Sequence, residues 1–288
     1  MIVRALRGFA LLASVLASAS PAAAAEPLPA GIPDLVGPRT LALSAATGIA
    51  AGNEGLYVNP AAAAARRRYS VEGLLFVDRR GAETAAQLYG VSVVDSITSP
   101  VMGAFSYVRA QKGPYTGNVW HGALAGPIAR NLYLGVLGKW LQVKGPRNSD
   151  AATVDAGLFW QVTDLVSVGG AGYNLVSIAN EAVAPMGVGG GVGIGSDRSF
   201  QITGDWRADL DRAGKSTNRW AAGAEVLLGG LVPVRAGWSK DETLDGSWWS
   251  AGAGLVTQGA AIDFGYRQAI GEPNARTIAA TLKLFLFQ

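Results

Sequence analysis

The chain holds one histidine, His121, and no cysteine among its 288 residues, which limits the available chemistry at once. A hydrolase needs a nucleophile, a base beside it and donors for an oxyanion. One histidine without a partner motif does not supply that set. The missing cysteine also removes disulfides, thiolate nucleophiles, cysteine metal ligands and the acylated cysteine of a lipoprotein. The expectation is therefore no catalytic residue, no metal, no cofactor and no enzymatic activity. The run Gly187, Gly189, Gly190, Gly191, Gly193, Gly195 is not a phosphate loop, because no Gly-Lys-Ser/Thr follows it and no helix opens after it.

The charged residues say more through their spacing. From Phe200, the residues Phe200, Ile202, Gly204 and Trp206 share one face, while Gln201, Thr203, Asp205 and Arg207 share the other, the period of two of a one-sided strand. The same alternation puts Lys139, Asp155, Arg219, Glu225, Asp263, Arg267 and Lys283 opposite apolar neighbours such as Leu134, Leu158, Trp220, Val226, Ile262 and Leu284. A ring of one sign would indicate ion selectivity. Here both signs occur, so Lys139, Asp155, Asp205, Arg207, Arg219, Glu225, Asp263, Arg267 and Lys283 are expected to pair across strands and stiffen an enclosed interior. His121 reads as a rim or lumen residue of the same interior.

The elements that must position these residues are short strands. After the first residues no apolar run reaches 18, so a helical membrane span is excluded by length. Segments of about ten alternating residues separated by turns are the signature of a transmembrane barrel. Gly113-Pro114, Gly126-Pro127, Gly145-Pro146, Gly214-Lys215, Asp245-Gly246 and Glu272-Pro273 read as the turns. Strands are expected near 68–78, 85–95, 99–109, 116–126, 131–142, 150–161, 164–175, 185–196, 198–208, 217–228, 231–239, 246–257, 260–269 and 275–287. Short links make successive strands antiparallel neighbours. In lipid such a meander must close, since an open edge leaves backbone groups unpaired. The expected fold is all-β: a closed up-and-down antiparallel barrel of about 14 strands. The glycine-rich strand at 185–196 could line a close approach to a plug. Trp140, Trp160, Trp206, Trp220, Trp238, Trp248 and Trp249 sit near inferred strand ends, where they would form an interfacial aromatic girdle.

The start of the chain sets the compartment. Arg4 and Arg7 precede an apolar run from Phe9 to Leu16 and then Ala23, Ala24 and Ala25, the pattern of a cleaved signal peptide. Its removal near Ala25 turns 24 basic and 21 acidic residues into 22 and 21. The mature chain is then nearly neutral, with no basic stripe for nucleic acid.

Residues 26–66 precede the barrel (67–288). Asn59 is a good N-cap, Pro60 suits the first helical position, and Ala61 to Ala65 extend a turn or two. Arg66, Arg67 and Arg68 then fall where the helix dipole favours cations. The motif Gly37-Pro38-Arg39, the small-residue stretch after it, and Asn53-Glu54-Gly55 running into Asn59-Pro60-Ala61 resemble the opening of the FadL-like superfamily. That superfamily includes long-chain fatty-acid transporters and the PorV-like proteins of a secretion system. Pro233-Val234-Arg235-Ala236-Gly237-Trp238 and Ala261-Ile262-Asp263-Phe264-Gly265-Tyr266-Arg267 resemble the last hairpins of the PorV-like branch.

The resemblance implies that the helix at Asn59 belongs to a hatch inside the lumen; the residues alone fit a connecting helix at the rim equally well. It also implies one of two activities. The first is passive transport of a hydrophobic, fatty-acid-like molecule across the outer membrane. The second is a non-transporting platform for protein secretion or envelope assembly. The expected partners are outer-membrane lipid, the barrel-assembly machinery and either a hydrophobic ligand or a secretion partner. A last strand ending Leu284-Phe285-Leu286-Phe287-Gln288 resembles the terminal assembly signal of outer-membrane proteins.

Overall fold

The computed structural model describes residues 37–81, 84–145, 148–176, 184–212 and 215–287. The signal peptide, residues 26–36 of the expected hatch segment, Pro146, Gly214 and Gln288 lie outside the described residues. Fourteen strands follow one another as antiparallel neighbours, and the last closes on the first. They are β1 (Tyr69–Arg79), β2 (Ala86–Asp95), β3 (Met102–Lys112), β4 (Tyr115–Ala129), β5 (Leu132–Lys144), β6 (Ser149–Gln161), β7 (Val166–Tyr173), β8 (Gly187–Gly195), β9 (Phe200–Arg212), β10 (Lys215–Leu228), β11 (Val232–Asp241), β12 (Gly246–Val256), β13 (Ala260–Ala269) and β14 (Glu272–Phe287). Closure is carried by a ladder from Tyr69↔Phe287 to Arg79↔Arg276. Every strand therefore has two partners, as a lipid environment requires.

The two faces invert the pattern of a water-soluble protein. Ile262, Phe264, Leu282 and Leu284 stand on the outside at 46–56% exposure, while Ser106, Thr203, Asp263 and Thr277 are at most 5% exposed inside. Period-two sequences produce this because each strand sends alternate side chains to opposite sides. The apolar exterior is a surface suited to lipid.

Two expected turns are strand instead. Gly126-Pro127 lies within β4, next to a register shift between Pro127 and Ala129, and Glu272-Pro273 begins β14 beside a shift at Gln268/Ala269. Proline is tolerated at such irregular strand ends because its missing N–H costs no ladder bond there. The real reversals are at Arg130-Asn131 and Ile270-Gly271, where Asn131 and Gly271 take positive φ.

One tryptophan was assigned to the wrong face. Trp140, Trp160, Trp220, Trp238 and Trp249 are exposed on the outside, and the half-buried Trp206 stands opposite Trp220 on the same face, but Trp248 is 3% exposed inside the barrel. Adjacent strand residues cannot share a face, and Trp249 opposes the outward Trp238. Residue type suggested a girdle at both positions; parity allows one. The outward tryptophans pair across strands, Trp140 stacking on Trp120 at 4.7 Å and Trp206 meeting Trp220 tilted, with centroids 6.0 Å apart. In liposomes with brominated lipid, Trp249→Phe is expected to remove one quenchable tryptophan and Trp248→Phe none. Equal losses in both variants would sink this facing.

Both ends of the barrel sequence meet at one rim, here called proximal. At the opposite, distal rim the links include 113–114 and 270–271, and the longest is 174–186.

Candidate functional site

The chain before β1 does not sit at the rim: it runs through the lumen as three short helices, α1 (Pro38–Leu43), α2 (Gly55–Val58) and α3 (Pro60–Ala64). Asn59 joins the last two. Its backbone N–H closes α2 on Gly55 O at 2.9 Å, and its Oδ1 caps α3 by accepting from Ala61 N at 3.1 Å. Such a cap contributes about 1 kcal/mol. The Nδ2 of Asn59 then donates to Thr47 O at 3.1 Å and to Leu158 O on β6 at 3.0 Å, so one buried side chain ties cap, hatch and wall together. Arg66 to Arg68 follow α3 but engage the wall: Arg66 pairs with Asp197, and Arg67 donates to Ile97 O.

At the other end, α1 has no side-chain cap of its own. Glu54 supplies one from 15 residues away, accepting from Arg39 N at 3.1 Å and Thr40 N at 2.8 Å. A carboxylate at a helix start meets free N–H groups that have no partner within the helix.

The hatch is bonded to the wall around the barrel. Asn53 joins Ser70 and Ser92 on β1 and β2, Tyr57 joins Ser106 on β3 at 2.8 Å, and Tyr173 on β7 donates to Val58 O at 2.8 Å. Ser167 donates to Gly48 O, and Ser250 on β12 to Ala42 O. Asp205 receives the Ala46 and Thr47 amides at 2.8 and 2.6 Å. Between these bonds the inner wall is glycine. A Cβ at Gly135 would stand 2.5 Å from Ala61 N, one at Gly193 2.6 Å from the Ile49 side chain and one at Gly237 2.6 Å from Leu43 C. The glycine-rich β8 is part of this lane, which lets hatch backbone lie against sheet backbone.

The strongest tie is ionic. Arg39 Nε and Nη2 donate to the two carboxylate oxygens of Glu225, both at 2.9 Å. Arg39 also donates to Gln201 Oε1 at 2.8 Å and to Ala50 O at 3.1 Å. Arg235 pairs with Glu225 as well and reaches Asp263 at 2.5 Å. Two cations and two carboxylates thus form a chain from the hatch across β10, β11 and β13, with bidentate geometry at its first link.

The other expected interior charges fall into separate pairs. Lys139 meets Asp155 at 2.8 Å, Lys283 meets Glu72 at 2.8 Å, and Arg207 meets Asp209 at 3.0 Å. Arg267 lies over the Trp248 ring at 4.6 Å. Arg219 lines a small cavity of about 30 Å³ with Asp205 and Arg207. His121 is buried in the lumen edge-on to Tyr57, 5.4 Å between ring centroids.

Sequence reasoning missed Arg39, Glu54, Glu72 and Arg235. Parity could have found Arg235, because Val234, Ala236 and Trp238 alternate with it. Arg39 and Glu54 lie in a stretch without periodicity, so nothing local marks their partners.

The lumen is also two-sided. Inner faces of β1 to β5 contribute Leu74, Phe76, Leu88 and Val108, packed with Leu41 of the hatch, and Val94, Met102 and Leu137 packed with Leu56. Glu225, Arg235 and Asp263, with the Arg207–Asp209 pair, occupy β9 to β13 on the other side, while Lys139–Asp155 lies on β5 and β6 and Glu72 on β1. One half of the interior is mainly apolar and the other mainly polar.

No family model matches the chain, and no curated protein matches it. Solved structures do. The Ralstonia pickettii toluene transporter TbuX aligns at 12% identity and TM-score 0.66, over 88% of this chain and 98% of that one. The Pseudomonas putida toluene transporter TodX aligns at 10% identity and TM-score 0.62, over 88% and 97%. A Pseudomonas aeruginosa FadL homologue aligns at 12% identity and TM-score 0.59, over 87% and 97%. The shared property at this identity is the fold, a closed β-barrel like that of these structures.

Proposed function

We propose that the protein is an exported outer-membrane barrel that lets a small hydrophobic molecule cross passively, with the hatch of residues 37–64 as its barrier. The observation that carries this reading is the apolar half of the lumen, from Phe76 and Val108 down to Leu41 and Leu56 of the hatch. The hatch covers this strip, so displacing the hatch would uncover an apolar lining that a hydrophobic molecule can follow. The fold shared with toluene transporters supports a hydrophobic cargo. A monoaromatic hydrocarbon and a long-chain fatty acid are the two classes to compare.

The test is uptake of labelled toluene and of a labelled long-chain fatty acid by cells lacking their own hydrophobe transporters. Assembled wild-type barrel is expected to raise uptake of at least one of them. Val108→Arg, which places a cation on the buried apolar wall, is expected to cut that uptake about tenfold, the scale of a 1.4 kcal/mol penalty. Heat-modifiable mobility on a gel checks that the variant is folded. No uptake of either compound by assembled barrel would remove the transport reading.

A second reading, a platform for secretion or envelope assembly, draws on the brief distal links such as 113–114 and 270–271. These leave little chain for capturing a ligand from outside. It predicts co-purification of a stoichiometric protein partner from the outer membrane together with absence of uptake.

A further inference from the structure

On the proximal side of the hatch lies a cavity of about 290 Å³, lined among the described residues by six cationic and four acidic side chains, with Leu227, Pro233 and Phe285 in its apolar wall. Most of these charges are already matched. Arg39 and Arg235 serve Glu225 and Asp263, Lys283 serves Glu72, Arg66 serves Asp197, and Glu54 holds the first amides of α1.

Arg68 differs from the rest. Its guanidinium makes no hydrogen bond or ion pair among the described residues. It lies over the Phe285 ring at 5.3 Å, and its Nη1 would stand 3.2 Å from a Cβ on Gly52. A guanidinium placed over a ring still has N–H donors to offer, and a guanidinium can receive an oxyanion in bidentate fashion. Arg66, lining the same cavity and paired with Asp197, is still held below the usual arginine range, by burial first and then by the like charge of Arg39. Two neighbouring guanidinium groups facing one cavity favour an anion with more than two acceptor oxygens over a simple carboxylate.

We propose that this proximal mouth is a binding site for a single phosphate-type oxyanion, received by Arg68 with Arg66 beside it. The apolar wall at Leu227, Pro233 and Phe285 would take a short alkyl substituent if the phosphate is the head of an amphiphile. The site is separate from the apolar half of the lumen and does not depend on cargo passing the hatch.

Calorimetric titration of the refolded barrel in uncharged detergent tests it, with inorganic phosphate and hexyl phosphate as probes. Saturable binding at one site per barrel is expected. Arg68→Gln should weaken it at least tenfold, and Arg130→Gln, a change at an exposed arginine in a proximal turn, should leave it unchanged. Tighter binding of hexyl phosphate assigns the site to an amphiphile head, and equal binding assigns it to free phosphate. Failure of wild-type barrel to bind either probe overturns the proposal without any variant. Equal losses in Arg68→Gln and Arg130→Gln overturn it as well, since they would mean general attraction to a basic rim. If Arg68→Gln does not fold, Phe285→Leu, which removes the ring beneath the guanidinium, is expected to weaken binding severalfold; full-strength binding in that variant would count against the site.

Discussion

Arg39→Ala is expected to open the barrel to ions. The substitution removes three side-chain hydrogen bonds between hatch and wall, two of them to Glu225, and a fourth to Ala50 O within the hatch, and leaves that carboxylate with Arg235 as its remaining cation. Breaking a buried pair by removing one partner costs about 3–5 kcal/mol. The lower end applies here, because Arg235 still neutralises Glu225. A loss of about 3 kcal/mol raises the population of a detached hatch roughly a hundredfold, since each 1.4 kcal/mol is a factor of ten. Planar-bilayer recordings should then show conductance steps rare in the wild type, and proteinase K, which needs no basic residue, should reach the hatch in folded barrel. Arg39→Lys keeps the charge but loses the two-pronged contact, so it should fall between the two. Silent bilayers and unchanged proteolysis of a heat-modifiable Arg39→Ala barrel would show that the ionic chain does not hold the hatch.

The second large effect comes from one added side chain. Gly223 on β10 faces Leu43, and a Cβ there would overlap the Leu43 carbonyl oxygen; its cross-strand neighbour Gly237 is crowded by the same residue. The obstructing atoms are backbone, so no rotamer change relieves the clash. Gly223→Val should therefore displace α1 from the wall or slow closure of the barrel, at or above the 1–3 kcal/mol usual for overpacking. Gly122→Val is the control, because a Cβ at Gly122 has nothing within 4 Å. Urea titration followed by gel mobility separates the outcomes. The first variant is expected to lose its folded form at lower urea than the second. Coincident curves with an intact, protease-resistant hatch would refute close backbone contact at this position.

Both variants address the same design. A hatch with few large side chains cannot be held by bulk packing alone, so backbone contact across glycine and bonds to serine, asparagine and tyrosine share the load. The ionic chain from Arg39 to Asp263 adds a tie that is strong when complete and weak once a single member is removed.

The barrel itself was legible in the sequence because its causes are local. Period-two alternation puts Ile202 and Thr203 on opposite faces whatever the rest of the chain does, and short links leave no topology but neighbouring antiparallel strands. Closure follows from the cost of an unpaired edge in lipid. The inward facing of Lys139, Asp155, Asp205, Glu225 and Asp263 came from the same parity. Where residue type was weighed ahead of parity, at Trp248, the facing was lost. Where Gly-Pro or Glu-Pro was read as a turn, at Gly126-Pro127 and Glu272-Pro273, a register shift had let strand continue.

The tertiary structure alone decided what the interior does. Arg39 and Glu225 lie 186 positions apart in the chain, and no local pattern brings them together. The capping of α1 by Glu54, the double role of Asn59, the glycine lane and the division of the lumen into apolar and polar halves each depend on which strands the closed barrel sets opposite one another. Parity along a strand is a property of the backbone and can be read one residue at a time. Contact across a lumen is a property of closure and register, which exist only once all fourteen strands have met.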